Sequence, residues 1–468
     1  RLHAHFSVQL FALVAHVDHV VVGRDWWAAY AASSSFSYLR CPHWVQGSWS
    51  KGTALALSIV TSALGAAGEL AIRSLIERAP LASSLADAFK SAGYRLALVG
   101  GSVRDAILGR LGNDLDFTTD AHPEASRKIL NAWAENVWDT GIAFGTVAGR
   151  RGDTTVEVTT YRTESYDIDS RKPDVEYGDS IDGDLSRRDF TVNAMALELT
   201  QGTPLFIDPF NGLSDLGRKI LRTPVSAESS FSDDPLRMLR AVRFASQLNF
   251  TVADDVLAAI KDMSGRISII SAERVRDEFI KLLMSNNPRI GITMLVDTGL
   301  AELILPEIPK LQLEIDEHHN DKDVYEHSLT VLEQAIALED RLGGPNLIIR
   351  LASLLHDIGK PKTRSLIAGG GVSFHHHEVV GARLCKERLK ALRFNRDAID
   401  DVSTLVALHL RFHGYGDNEW TDSAVRRYVR DAGELLPHLH ILTRADCTTR
   451  NKRKANALAA TYQSLEER

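Results

Sequence analysis

The stretch Arg95-Leu-Ala-Leu-Val-Gly-Gly-Ser-Val-Arg-Asp-Ala-Ile-Leu-Gly-Arg-Leu-Gly-Asn-Asp-Leu-Asp-Phe-Thr-Thr119 decides the fold of this chain. Arg95 to Val99 is a short apolar run of strand length, Gly100-Gly101 a turn, and Ser102 to Leu108 a helix opening that the Ser102 hydroxyl is expected to cap. A glycine turn between strand and helix lets backbone N–H groups approach an anion, and the helix dipole adds partial positive charge there. The next strand, Asn113 to Thr118, carries Asp114 and Asp116 two residues apart. Alternate residues of a strand share a face, so both carboxylates point the same way, with Cα atoms about 6.6 Å apart. Two like charges at that spacing call for a cation, and one Mg²⁺ or a pair of metal ions fits between them.

A third carboxylate comes from Thr154-Thr-Val-Glu-Val-Thr-Thr-Tyr161, where alternation sends Val156 and Val158 to one face and Thr155, Glu157 and Thr159 to the other. Asp114, Asp116 and Glu157 are thus the candidate catalytic acids. Ions held by them would activate a hydroxyl nucleophile and stabilise the leaving oxygens of an in-line phosphoryl displacement.

Outward from this core, the chain has the make-up of globular protein. Its 468 residues suit roughly three domains of about 150 residues. With 44% hydrophobic and 25% charged residues, it is neither collagen-like, disordered nor a coiled-coil rod. Three scattered cysteines (Cys41, Cys385, Cys447) give no disulfide framework and point to a reducing compartment, the cytoplasm. A net charge of −7 excludes coating of nucleic acid or membrane by bulk charge, so any nucleic-acid site must be local. Residues 1–66 read as an extension of unknown role, with a tryptophan cluster (Trp26, Trp27, Trp44, Trp49) and no clear period. Its apolar runs, Phe11 to Val22 and Thr53 to Ala67, are too short or too interrupted to span a membrane, which needs about 20 residues. Glu69 to Ala92 has helical spacing, with Pro80 dividing it into two helices.

Several motifs in order resemble the class II tRNA nucleotidyltransferases, the CCA-adding enzymes of the polymerase-β-like superfamily. They are Leu98-Val-Gly-Gly-Ser-Val-Arg-Asp105, Asn113-Asp-Leu-Asp-Phe-Thr-Thr119, Arg187-Arg-Asp-Phe-Thr-Val-Asn-Ala-Met-Ala196 and Asp233-Asp-Pro-Leu-Arg-Met-Leu-Arg240. The last departs from the family by having Asp233 where Glu is usual. The resemblance runs from about Glu69 to the C-terminus and implies an α/β nucleotidyltransferase head, a polymerase-β-like mixed sheet with helices, over 67–222. An all-α neck over 223–310, for base and RNA binding, and an all-α HD domain over 311–468 would follow. It implies that Gly100, Gly101 and Arg104 hold triphosphate and that Asp114 and Asp116 hold Mg²⁺. It places Arg188, Asp189 and Asn193 near the ribose, on an expected helix that Asp189 caps and where Asp189 and Asn193 lie one turn apart. The segment Thr163 to Leu185 is too long for an ordinary connection, and the family has a functional loop here that Asp169-Ser-Arg-Lys-Pro-Asp174 matches in charge.

Asp234 and Arg237, at i and i+3 near a helix start, are expected to share a face. A carboxylate only accepts and a guanidinium only donates. Cytosine and adenine both set an amino donor beside a ring acceptor, whereas uracil and guanine invert the pair, so one Asp and one Arg admit C and A and refuse U and G. Arg237, Arg240 and Arg243 recur every three residues as a basic stripe for triphosphate or RNA backbone.

The C-terminal part has a separate signature. His327, the pair His356-Asp357 before Gly359, then His377, His409 and Asp446, resemble the HD phosphohydrolases. In that superfamily His327, His356, Asp357 and Asp446 would ligate a divalent metal whose identity the donors do not choose, with His377 and His409 as auxiliary contacts. The combined expectation is metal-dependent transfer of C, C and A from CTP and ATP onto tRNA, with no membrane partner. A poly(A) polymerase shares the head but tends to carry an extended basic tail, where this chain has Arg450-Asn-Lys-Arg-Lys454. The third reading is an HD phosphohydrolase whose head only binds nucleotide.

Overall fold

The computed structural model describes residues 65–468 apart from 76, 142–144, 166–173, 179, 201–203, 314–322, 367–371, 415–419 and 448–451. The extension 1–64 and the charged loop segment 169–173 therefore lie outside the described residues. Two compact units divide the chain: residues 1–234 with 250–259, and 235–249 with 260–468.

The first unit begins with helical residues 65–75 and, beyond the break at Ala79-Pro80, α1 (Leu81–Ser91). Then follow β1 (Leu96–Val99), α2 (Gly101–Ile107), β2 (Asp114–Thr119), α3 (Pro123–Trp133), β3 (Asn136–Gly141), β4 (Thr146–Arg151) and β5 (Thr154–Thr160). Later come β6 (Arg162–Ser165), β7 (Asp174–Tyr177), α4 (Ile181–Ser186), β8 (Ala196–Glu198), β9 (Leu205–Ile207) and α5 (Gly212–Arg218). The sheet order is β3-β4-β5-β2-β1-β8-β9, and only β2 and β5 pair in parallel. Leu115, Phe117, Val156 and Val158 are buried beneath β2 and β5, which leaves the opposite face of both strands for the acids. The expected long loop contains the β6–β7 hairpin and α4. A short parallel pair, β10 (Ile220–Leu221) with β11 (Thr251–Val252), ties residues on either side of α6 (Ala227–Asp233) and α7 (Leu236–Leu248).

Besides α7, the second unit carries the last residues, 260–263, of α8 (Asp254–Met263), then α9 (Ala272–Leu283), α10 (Pro288–Asp297), α11 (Leu300–Ile304), α12 (Val324–Ile336), α13 (Leu347–Leu355), α14 (Lys360–Thr363), α15 (His377–Ala391), α16 (Arg396–Leu408), α17 (Asp422–Ala432), α18 (Leu436–Asp446) and α19 (Lys452–Glu467). It is helical except for a two-residue hairpin, β12 (Ser365–Leu366) with β13 (Val372–Ser373). Side chains of Ser271, Asp323, Asn346, Asn395 and Thr421 accept N–H groups of the first turns they precede, which fixes five helix starts.

Arg350 on α13 joins this unit together. Its guanidinium donates to both Glu339 oxygens at 2.7 Å and to the carbonyls of Leu283 (2.8 Å) and Ser285 (2.7 Å), the open C-terminal end of α9. Arg350 is 3% exposed and Glu339 4%. Removing one member of such a buried pair strands the other, so Arg350→Met is expected to lower stability by about 3–5 kcal/mol, read by urea unfolding. The double variant with Glu339→Met recovers only part, since the two carbonyls stay unpaired.

Candidate active site and metal centres

In the first unit the three acids converge as their strands require. Asp116 and Glu157 are direct Cα partners across β2 and β5, and Asp114 stands opposite Thr155. Neighbouring strands lie about 4.8 Å apart, so the three carboxylates share one small patch. Asp114 and Asp116 are exposed, and Glu157 is half-buried. Burial first, then the charges of Asp116 and Asp114, raise the proton affinity of Glu157 above its ordinary value. Gathered like charges that push a proton onto one another suit a divalent cation.

Gly100 borders this patch. It has φ 68° and ψ −140°, and a Cβ there would lie 2.8 Å from Arg188 Nη1 and 3.9 Å from Asp116 Oδ2. Only glycine fits this turn against the Arg188 guanidinium. Asp184 holds Arg188 in turn, accepting from Nη2 at 3.0 Å. Ser102 does not cap α2. Its Oγ accepts the Asp116 N–H at 3.0 Å, anchoring the acidic strand to the helix, and the helix begins one residue earlier, at Gly101.

Arg188 and Asp189 do not open an α-helix. Asp189 Oδ1 takes the Phe190 N–H at 2.8 Å, Phe190 is extended and fully buried, and only a 3₁₀ turn, Thr191–Asn193, follows. Asp189 and Asn193 nevertheless meet: Asn193 Nδ2 donates to Asp189 Oδ1 at 2.9 Å, and Arg104 Nη1 donates to Asn193 Oδ1 at 2.5 Å. Arg104 is 5% exposed and also engages Asp105, so it braces the turn from below.

The expected shared helical face of Asp234 and Arg237 is not formed. Asp234 has extended backbone (φ −142°, ψ 100°) and precedes Pro235, whose ring disfavours helical conformation in the residue before it. Arg237 lies on α7, which starts at Leu236. The basic stripe is likewise divided. Arg243 is buried against Glu278 of α9, Nε to Oε2 at 2.5 Å, with Nη1 on Gln247 at 2.7 Å, and Arg240 lies over the Phe244 ring at 5.7 Å. Arg243 thus packs α7 on α9, a role its spacing does not reveal.

In the second unit, the six HD residues form two groups: His327 with His356 and Asp446, and Asp357 with His377 and His409. His327 Nε2 is 2.9 Å from Asp446 Oδ1 and 3.3 Å from His356 Nε2; His377 Nε2 is 3.3 Å from His409 Nε2. Asp357 links the groups, with Oδ2 3.2 Å from His356 Nε2 and Oδ1 3.2 Å from His377 Nε2. Three imidazoles are held through Nδ1 by carbonyls: His356 by Ser353 (2.8 Å), His377 by Phe374 (2.8 Å) and His409 by Val406 (2.7 Å). Each Nδ1–H donation turns Nε2 inward, where a metal would be ligated. Burial opposes charge on His356, but Asp357 and Asp446 raise it to about 10, so without metal its Nε2 carries a proton that a metal would displace. Burial opposes charge on Asp357, but the charges of His356 and Lys360 hold it well below the usual carboxylate range. His409 is lowered to about 3 by burial and by the charge of His356.

Lys360 is a member of this site that sequence reasoning missed. Its Nζ lies 2.9 Å from Asp357 Oδ2, and the signal was its i+3 spacing from that aspartate. Gly359 makes the arrangement possible: a Cβ there would lie 2.1 Å from the His377 carbonyl, so α15 can approach the His356-Asp357 corner only across a glycine.

Three family models match in order: a poly A polymerase head domain at residues 96–222, a probable RNA and SrmB- binding site of polymerase A at 249–311, and an HD domain at 324–451. The CCA-adding enzyme of Lactobacillus helveticus is 42% identical over 228 residues, 48% of this chain and 54% of the relative. That of Ligilactobacillus salivarius is 43% identical over 212 residues, 45% and 51% of the two chains. The matched region spans about half the length of these curated relatives. The Bacillus stearothermophilus CCA-adding enzyme in complex with CTP superposes with a TM-score of 0.56 at 26% identity, covering 82% of each chain. The Thermotoga maritima CCA-adding enzyme complexed with tRNA gives 0.59 at 18% identity, over 84% of this chain and 85% of that one, a likeness of fold. Among the described residues, no helix is long and apolar enough to cross a membrane.

Proposed function

We propose that the chain adds C, C and A to the 3′ end of tRNA from CTP and ATP, releasing pyrophosphate; it matches, in order, models of a poly A polymerase head, a polymerase RNA-binding segment and an HD domain. The observation that carries this reading is the single acidic face of Asp114, Asp116 and Glu157 beside the Gly100 turn. These acids would hold Mg²⁺, which when bound supplies activation of the 3′ hydroxyl and charge stabilisation at the leaving oxygens. Gly100 and Gly101 offer N–H groups to the triphosphate, and Arg188, steadied by Asp184, adds positive charge over the turn. The buried chain Arg104–Asn193–Asp189 fixes the wall on the ribose side. Asp234 and Arg237 read the base, and Arg240 lies one turn beyond Arg237 for triphosphate or RNA backbone. With its two described cysteines free, the chain is assigned to the cytoplasm.

A second reading, compatible with the first, belongs to the HD domain. Asp357 faces both histidine groups, which supports a centre of two divalent ions acting on phosphate esters. The relatives named for CCA addition favour that reaction over poly(A) synthesis for the head.

The test is a tRNA ending before its CCA, incubated with each nucleotide alone and with all four. CTP alone is expected to add two residues, and CTP with ATP three. A ladder of A indicates a poly(A) polymerase, and no addition refutes the proposal.

The raised proton affinity of Glu157 makes the head sensitive to pH. Metal must displace a proton held above the ordinary value of 4.5, so Mn²⁺ affinity weakens as pH falls toward that value. Without metal the sign reverses for stability: the folded head binds more protons than the unfolded chain, so it loses stability as pH rises through the same interval. Glu157→Gln is expected to flatten both profiles, measured by calorimetric Mn²⁺ titration and by melting at stepped pH.

A further inference from the structure

Besides the metal groups, the second unit has a cavity of about 240 Å³ whose walls include Leu408, Arg411, Trp420, Arg427, Tyr428 and Asp431. Among the described lining residues Asp431 is the one carboxylate, and it is approached by both Arg411 (3.6 Å) and Arg430 (3.4 Å). Two guanidiniums therefore reach this carboxylate, and a third arginine, Arg427, lines the same cavity. The cavity opens at α17, where residues 426–430 hold three arginines and no acid, and Arg426, Arg427 and Arg430 are all exposed. Their Cα atoms extend over about 6 Å along the helix, wider than one phosphate group. Trp420, edge-on to Tyr428 at 5.4 Å, gives the cavity an aromatic wall. In a chain of net charge −7 this is a concentrated cationic surface, the form a nucleic-acid site must take here.

We propose that the α17 face and its cavity bind the sugar-phosphate backbone of tRNA, with the arginines on successive phosphates and Trp420 packed against an exposed ribose or base. Fork-shaped guanidiniums suit phosphate oxygens, and an indole beside them suits a polyanion that also presents rings. The inference rests on tRNA being the substrate, and it assigns a contact outside the segment 249–311 that matches an RNA-binding family.

The experiment compares the full chain with Arg427→Gln/Arg430→Gln for binding of fluorescent tRNA without nucleotide, across a salt series. Arg383→Gln, an exposed arginine on α15, is the control. Each lost phosphate contact removes about 0.9 from the slope of log K against log salt, so the double variant should lose about two units and bind roughly tenfold more weakly. Unchanged affinity and slope with equal melting temperature overturn the proposal. So does loss confined to hydrolysis of p-nitrophenyl phosphate, which would make the cavity a small-ligand subsite. Elongation is scored separately: wild type that binds tRNA but adds nothing refutes the proposed reaction and leaves this surface standing.

Discussion

Asp116→Ala is expected to lower nucleotide addition by about a thousandfold or more while leaving the fold intact. Asp116 is exposed, so truncation opens no core cavity, and its N–H still reaches Ser102 Oγ. What is lost is the carboxylate opposite Glu157 and nearest the Gly100 turn. A thousandfold corresponds to about 4 kcal/mol of transition-state stabilisation, in the range expected when charge on a transferring phosphoryl group loses its countercharge. Single-turnover elongation of a tRNA lacking CCA measures it, with tRNA affinity expected to hold. An Asp116→Ala enzyme within tenfold of wild type refutes the assignment of the acidic patch.

The second large effect is expected at Asp357. It touches both histidine groups and Lys360, so Asp357→Ala removes the one carboxylate common to both. Metal content of the second unit, read by elemental analysis after dialysis, is expected to fall by at least about a hundredfold in affinity, with any phosphate-ester hydrolysis lost. Nucleotide addition is expected to continue, since its acids belong to the other unit. Metal content equal to wild type refutes a centre held by Asp357.

Much of this is legible in the sequence itself. Strand alternation placed Asp114, Asp116 and Glu157 on one face because period two leaves a half-buried strand no other choice. The His356-Asp357 corner was readable from an apolar helix that ends there, before Gly359. Two of the failures share a cause: a side chain's partner can lie far away in sequence. Ser102 was expected to cap its own helix, but it bonds a strand fourteen residues on. Arg243 fell into an i+3 stripe, yet its partner Glu278 is thirty-five residues away. Asp234 failed for a local reason, the ring of Pro235, which outweighs helical spacing counted through it.

The four hydrogen bonds of Arg350 have an implication for how such a chain can change over evolutionary time. The residue that seals the buried carbonyl end of α9 grows from the same helix that ends at His356. A lineage can silence the histidine centre by single substitutions, but excising that domain would also leave the carbonyl end of α9, in the segment matching a polymerase RNA-binding family, without its partner. An inert HD module is therefore expected to persist as a brace long after its chemistry has gone.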